Sequence, residues 1–273
     1  MMCSENRKKA EEALKLLRPI DDNFFRELFR NSKEVTQLVL RLFMNKPDLE
    51  VLEHETQYDL KRLLGARSIC LDVKATDSTG AKYNIEAQRN KNGAEPYRAR
   101  YHQSSLDVEH LDAKQNFDEL PITYVIFITE TDIFGENKPL YRIERINIDT
   151  NKPFEDGEHI LYVNASYKDE STPLGRLLHD FLCSDPNEMQ TPEMAERTRI
   201  FKETPKGVSY MCEIIENLQK ESAAEAALKK AMDIALKLLK KGKISVSEIA
   251  DTTDLPMDTV KQLAIDNNIA YTL

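Results

Sequence analysis

The chain has 273 residues with 38 Lys and Arg against 47 Asp and Glu, and a formal charge of −9 argues against coating nucleic acid by bulk attraction, while leaving a local basic groove open. Hydrophobic residues at 41% and charged residues at 31%, without Trp, suit a soluble globular protein and exclude collagen-like or largely disordered chains. The length allows a main domain plus an appendage, and eight glycines leave little room for Gly-rich nucleotide loops.

The polar start, residues 1–8, lacks the apolar stretch of a secretory signal, and no run approaches the roughly 20 apolar residues of a membrane span. A cytoplasmic location and no membrane partner are therefore expected. Hydrophobic periodicity over about residues 11–45 predicts helix, and Pro19 splits a first helix from a second that begins at Asp21-Asp22 with Asp22 as its N-cap. After a link containing Pro47, Ile69, Leu71, Val73 and Ala75 alternate with Cys70, Asp72, Lys74 and Thr76. Tyr83, Ile85 and Ala87 alternate in the same way with Asn84, Glu86 and Gln88, and period two predicts strands. Between them Asp77-Ser78-Thr79-Gly80 matches a three-residue hairpin loop with Gly80 in the left-handed position. That register sets Asp72 opposite Glu86, Cys70 opposite Gln88 and Lys74 opposite Asn84 on a polar face, and Val73 against Ile85 on a buried one.

A helix over about residues 96–115 follows, then a nearly continuous apolar run at 122–128 that reads as a central strand covered on both faces. Alternating segments lie near 140–148 and 159–164. From Pro173 onward the pattern is helical, at 174–183, 192–202 and about 206–241, and ends in two short helices within 244–269 joined at Asp254-Leu255-Pro256. The expected domains are residues 1–190, a helical extension over 191–242, and a small tail over 243–273. Cys3, Cys70, Cys183 and Cys212 form no C-x-x-C pair and read as reduced thiols. His54, His110, His159 and His179 show no ligand spacing.

The Asp72 and Glu86 carboxylates, with the Gln88 amide two residues on, are the most informative cluster. Like charges opposed on a sheet repel unless a cation lies between them, and hard Mg²⁺ takes carboxylates, carbonyl oxygens and waters. As a bare pattern the same residues also suit the solvated face of an amphipathic hairpin.

Leu71-Asp72-Val73, Gly80, Tyr83-Asn84-Ile85-Glu86-Ala87-Gln88 and a helical Arg98-x-x-Tyr101 together resemble the PD-(D/E)XK nuclease superfamily, specifically its Rpn group of recombination-promoting, transposase-like nucleases. The segment Asp22-Asn23-Phe24-Phe25-Arg26-Glu27-Leu28-Phe29 is similar to that group's entry helix. The resemblance implies an α/β fold, a mixed central β-sheet flanked by helices (restriction-endonuclease-like), with an all-helical C-terminal extension. It also implies metal-dependent endonucleolytic hydrolysis of DNA, with Mg²⁺, or Mn²⁺ in its place, held by Asp72 and Glu86. Gln88 stands where the superfamily has Lys, as in the Rpn group. An amide orients a water or a phosphate but brings no positive charge, so the cationic role falls to a neighbour such as Lys74 or Arg98. Arg98, Arg100 and Tyr101 are the implied nucleic-acid contacts, and Arg98, Arg100 and His102 suit an exposed helix face as well as they suit phosphate contact.

Residues 245–263 resemble a small helix-turn-helix that reads DNA, yet Lys261 is the one basic residue of its second helix. An interaction module giving a homo-oligomer through the C-terminal helices stands beside that reading. The expected function is a metal-dependent DNA endonuclease. The alternative is a catalytically weak DNA-binding or protein-interaction scaffold of the same fold.

Overall fold

In the computed structural model, which describes residues 2–60 and 69–272, helix α1 (Met2–Leu16) is followed by α2 (Asp22–Phe29) and α3 (Lys33–Met44). The single second helix that periodicity predicts is therefore two. Asn31 takes φ 54°, and Ser32 caps α3 by accepting from the Val35 N–H at 3.4 Å. Asp21, not Asp22, occupies the N-cap of α2, and its carboxylate turns back to the backbone N–H of Arg18 (2.7 Å) instead of capping. Strand β1 (Val51–Leu60) follows where the polar run Glu53-His54-Glu55 masks any alternation.

Strands β2 (Ile69–Asp77) and β3 (Lys82–Gln88) form the expected hairpin, with Val73 paired to Ile85 and Lys74 to Asn84. Gly80 has φ 88°, and Asp77 Oδ1 ties the loop by accepting from the N–H groups of Thr79 (2.9 Å) and Ala81 (3.1 Å). A Cβ on Gly80 would meet nothing within 4 Å, so backbone conformation alone resists a side chain there. Gly80→Val should cost about 1–2 kcal/mol in urea denaturation; an unchanged midpoint would overturn this account of the turn.

Helix α4 (Pro96–His110) precedes β4 (Thr123–Thr129), ending short of residue 115. There follow β5 (Leu140–Ile143), a small separate pair β6 (Ile146–Asn147) and β7 (Lys152–Pro153), β8 (Glu158–Asn164), α5 (Pro173–Leu182) and α6 (Pro192–Glu203). The six-stranded mixed sheet has the order β1-β2-β3-β4-β8-β5, parallel across β3, β4 and β8 and antiparallel at both flanks. Strand β4 is covered on both faces, as its apolar run demands. Val125 and Phe127 pack with Ala99 and Leu106 of α4, while Ile126 and Ile128, alternating to the other face, are also fully buried. Helix α2 lies against β1, β2 and β3, and α3 against β1.

Contacts divide the chain into one unit of Ala13–Val208 and another of Met1–Glu12 with Ser209–Leu273. In the latter, α7 (Pro205–Lys241), α8 (Val246–Thr253) and α9 (Met257–Asp266) share a core of Leu239, Val246, Ile249, Val260 and Ala264. Ser245 and Glu248 cap α8 reciprocally. Cys70, Cys183 and Cys212 are free thiols, and the Cys3 side chain lies outside the described residues. No described helix is long and apolar enough to cross a membrane.

Candidate active site

The β2–β3 ladder stops at Val73 and Ile85. Beyond it Asp72 and Glu86 do not continue as a ladder pair: each carboxylate instead takes an N–H of the other strand. Asp72 N–H donates to Glu86 Oε1 (3.3 Å), and Ala87 N–H donates to Asp72 Oδ2 (3.3 Å). On the other side of Asp72, Gln57 takes φ 56° and drops out of the β1–β2 register. The face is not solvated throughout. At the carboxylates it is interior, with Asp72 7% exposed and Glu86 1%, while Cys70 at its end is exposed and Lys74 and Gln88 are half-buried.

Each carboxylate carries one guanidinium, and the two come from different helices. Arg26 of α2 places Nε 2.9 Å from Asp72 Oδ1, and Arg98 of α4 places Nη2 3.4 Å from Glu86 Oε2. Arg98 Nε donates to His102 Nε2 (3.3 Å), one helical turn on, which leaves the imidazole proton on Nδ1. His102 Nδ1 lies 2.9 Å from the Asn84 amide and 3.7 Å from Glu86 Oε1, and the Asn84 side chain also hydrogen-bonds to the Glu86 carboxylate. Burial, with the Asp72 charge alongside, pushes the Glu86 carboxyl up to about 8. Burial also raises Asp72, against the lowering effect of Arg26.

Arg26 is the site residue that sequence reasoning missed, and His102, read there as part of an exposed face or as a phosphate contact, is instead buried and holds Arg98. The i, i+4 spacing of Arg98 and His102 was a usable signal that both face one neighbour. No spacing rule links Arg26 to Asp72, 46 positions away.

The other expected residues spread out. Gln88 runs over Gly93, in the 3₁₀ turn Lys91–Gly93, so closely that a Cβ on Gly93 would fall 1.9 Å from Gln88 Oε1. Gln88 also lines a cleft of about 500 Å³ with Asp22, Arg89, Asn90, Glu130 and Thr131, at the carboxyl ends of the parallel strands β3 and β4. Lys74 points its Nζ at the Tyr58 ring, 3.8 Å from the centroid, and makes no ion pair with either carboxylate among the described residues. Arg100 lies over the exposed ring of Tyr97 at 5.4 Å. Tyr101 is half-buried against the core of Leu71, Ala99 and Phe127.

On the C-terminal helices, Lys261 is paired with Asp258 at 3.4 Å. Glu248, Asp251, Asp254, Asp258 and Asp266 are exposed on α8, α9 and the turn between them, and Lys229, Lys230, Lys237 and Lys240 are exposed on α7.

Two carboxylates are hard oxygen donors, and two like charges brought together in the interior gain from a cation between them. The donor set thus fits a hard divalent ion whose remaining positions water fills. Among the described residues no group of three or more His, Cys, Asp and Glu side chains forms a metal cage. Residues 19–238 match the family described as PD-(D/E)XK nuclease family transposase. No curated protein and no solved structure matches the chain.

Proposed function

Since the chain belongs to the PD-(D/E)XK nuclease family transposases, we propose that it is a DNA endonuclease dependent on Mg²⁺ or Mn²⁺, with Asp72 and Glu86 as the metal ligands. The observation that carries this reading is the interlocked, almost fully buried pair of carboxylates on neighbouring strands. An interior position with no catalytic use favours apolar residues, because the desolvation of buried carboxylates is costly even where guanidinium groups pair with them.

A divalent ion at such a site polarises a phosphate and acidifies a bound water. The chain's own residues supply the rest. Asp72 is fixed from both sides by Arg26 and the Ala87 N–H, so its free geometry is small and the ligand is preorganised. Gln88 projects into the cleft, where its amide orients a water or a backbone phosphate. Arg98, anchored by His102, meets the phosphate, and exposed Arg100 extends the nucleic-acid contact, whereas Tyr101 supports α4 from the core.

Plasmid DNA incubated with Mg²⁺, Mn²⁺ or EDTA, beside an Asp72→Ala control, tests the proposal. Cleavage by wild type that EDTA and the substitution both abolish is the expected outcome. The competing scaffold reading draws on Gln88 standing where a positive charge would serve. It gains if folded protein binds DNA equally well in EDTA and never cuts.

Gly93→Ala probes the glutamine. Only the end of a flexible side chain opposes the new methyl, so stability should stay within about 1 kcal/mol while the displaced amide lowers the cleavage rate. An unchanged rate in a variant whose Gln88 has moved would remove Gln88 from the mechanism.

A further inference from the structure

Gln88 leaves the site without the positive charge that a developing phosphate dianion needs, and Lys74 is turned to Tyr58. Two cations do reach the carboxylates, and they differ in how they are held. Arg98 is anchored through Nε by His102. Arg26 has its Nε on Asp72 itself, the residue that a metal would claim, and its side chain is 29% exposed, so it borders solvent. With both carboxylates ionised, the formal charges of Asp72, Glu86, Arg26 and Arg98 sum to zero. Adding a divalent cation to this cluster raises the sum to +2, and a hard cation on Asp72 displaces a guanidinium from the same oxygen.

We propose that Arg26 is a phosphate-binding residue of this site, kept on Asp72 as an internal counter-ion until a divalent metal takes the carboxylate, and then turned to the DNA phosphate in the role the absent lysine would fill. This rests on the nuclease reading. Its chemistry suits the residue. The planar guanidinium donates two parallel hydrogen bonds to phosphate oxygens as readily as to a carboxylate, stays charged throughout, and needs only side-chain rotation to move from one to the other.

The proposal predicts changes of opposite sign in one variant. Arg26→Gln removes the competitor for Asp72, so the Ca²⁺ concentration that half-saturates the rise in melting temperature should fall. In saturating Ca²⁺, which takes the same oxygen donors, binding of a short DNA duplex should weaken about tenfold, the loss of one charge-assisted contact. The slope of log affinity against log salt should drop by about 1. Arg26→Lys should fall between, keeping the charge and losing the fork. Gln88→Lys added to Arg26→Gln should restore DNA affinity.

A purely structural Arg26 would give the opposite pattern, in which metal and DNA binding weaken together and Gln88→Lys rescues neither. That result, or DNA affinity unchanged in Arg26→Gln at saturating metal, overturns the proposal. Because the readouts are metal and DNA binding, they stand apart from the nuclease reading. Wild type that binds both and never cuts defeats the nuclease reading alone, while cleavage undiminished by Arg26→Gln defeats this one alone.

Discussion

Asp72→Ala should abolish the rise in melting temperature that Mg²⁺ or Mn²⁺ produces in the wild type, and should slow DNA cleavage by more than roughly 100-fold. An ion that binds only the native state stabilises it by mass action, about 2.7 kcal/mol when its concentration is a hundred times the dissociation constant. For a chain of this size each kcal/mol moves the melting point by about 2–4 °C. The increment is therefore roughly 5–10 °C in wild type and near zero in the variant. Metal-free stability should change less. The substitution strips Arg26 of its carboxylate, but that guanidinium reaches solvent, and Glu86 loses the like charge beside it. Differential scanning fluorimetry with and without metal separates the two effects. Equal increments in wild type and Asp72→Ala would place the metal elsewhere.

Metal-free protein should lose stability as the pH is raised from about 5 to about 8, and Glu86→Gln should flatten that dependence. The folded chain holds the Glu86 proton up to about 8, whereas the ordinary value is 4.5. Between these values the native state binds more protons than the unfolded state, so the stability contributed is complete below 4.5 and is lost as the pH climbs through 8. The slope approaches about 1.4 kcal/mol per pH unit while a whole proton differs between the states. Asp72, raised by burial as well, adds to the same direction. Asp77, lowered by hydrogen bonds from Thr79 and Tyr83 despite burial, and Glu130, lowered chiefly by Arg18, act with the opposite sign. Their contribution is present above the ordinary carboxylate range and lost below it, outside the window governed by Glu86. A divalent ion holds the carboxylate pair ionised and releases the proton, so the metal increment should grow with pH. Urea denaturation across this range, in EDTA and in Mg²⁺, tests both slopes. His54 and His110, lowered by burial, add stability as the pH rises through the same interval, so the Glu86 contribution is the difference between wild type and Glu86→Gln. Identical metal-free profiles for the two would show that Glu86 is ionised in the folded protein at every pH tested.

The β2–β3 hairpin was legible because its determinants are local. Alternation assigned the strands, and Asp77 with Gly80 set the loop and hence the pairing of Val73 with Ile85 and Lys74 with Asn84. The unbroken apolar run of β4 announced a strand covered on both sides for the same reason: burial on two faces leaves no position for a polar residue. Strand β1 was not legible, since its side chains are mostly polar and its pairing with β2 supplies the order that its own pattern does not. The break between α2 and α3 escaped periodicity because helical spacing continues through Asn31 and Ser32, whose backbone angles interrupt it.

At the site the sequence by itself determined which carboxylates come together, because Asp72 and Glu86 are joined by one short hairpin, and it determined that Gln88 brings no charge. Tertiary structure decided everything that depends on what covers the hairpin. Helix α2, remote in the chain, and α4, which follows β3 after a short loop, cover the carboxylates and deliver Arg26 and Arg98 to them, and that burial raises Glu86. Tyr58, from the other side of the hairpin, holds Lys74. A side chain's periodicity tells which face it occupies but not whether that face meets water or a helix. Desolvation and ion pairing between elements far apart in sequence set the charge of this site, and neither is encoded in local spacing.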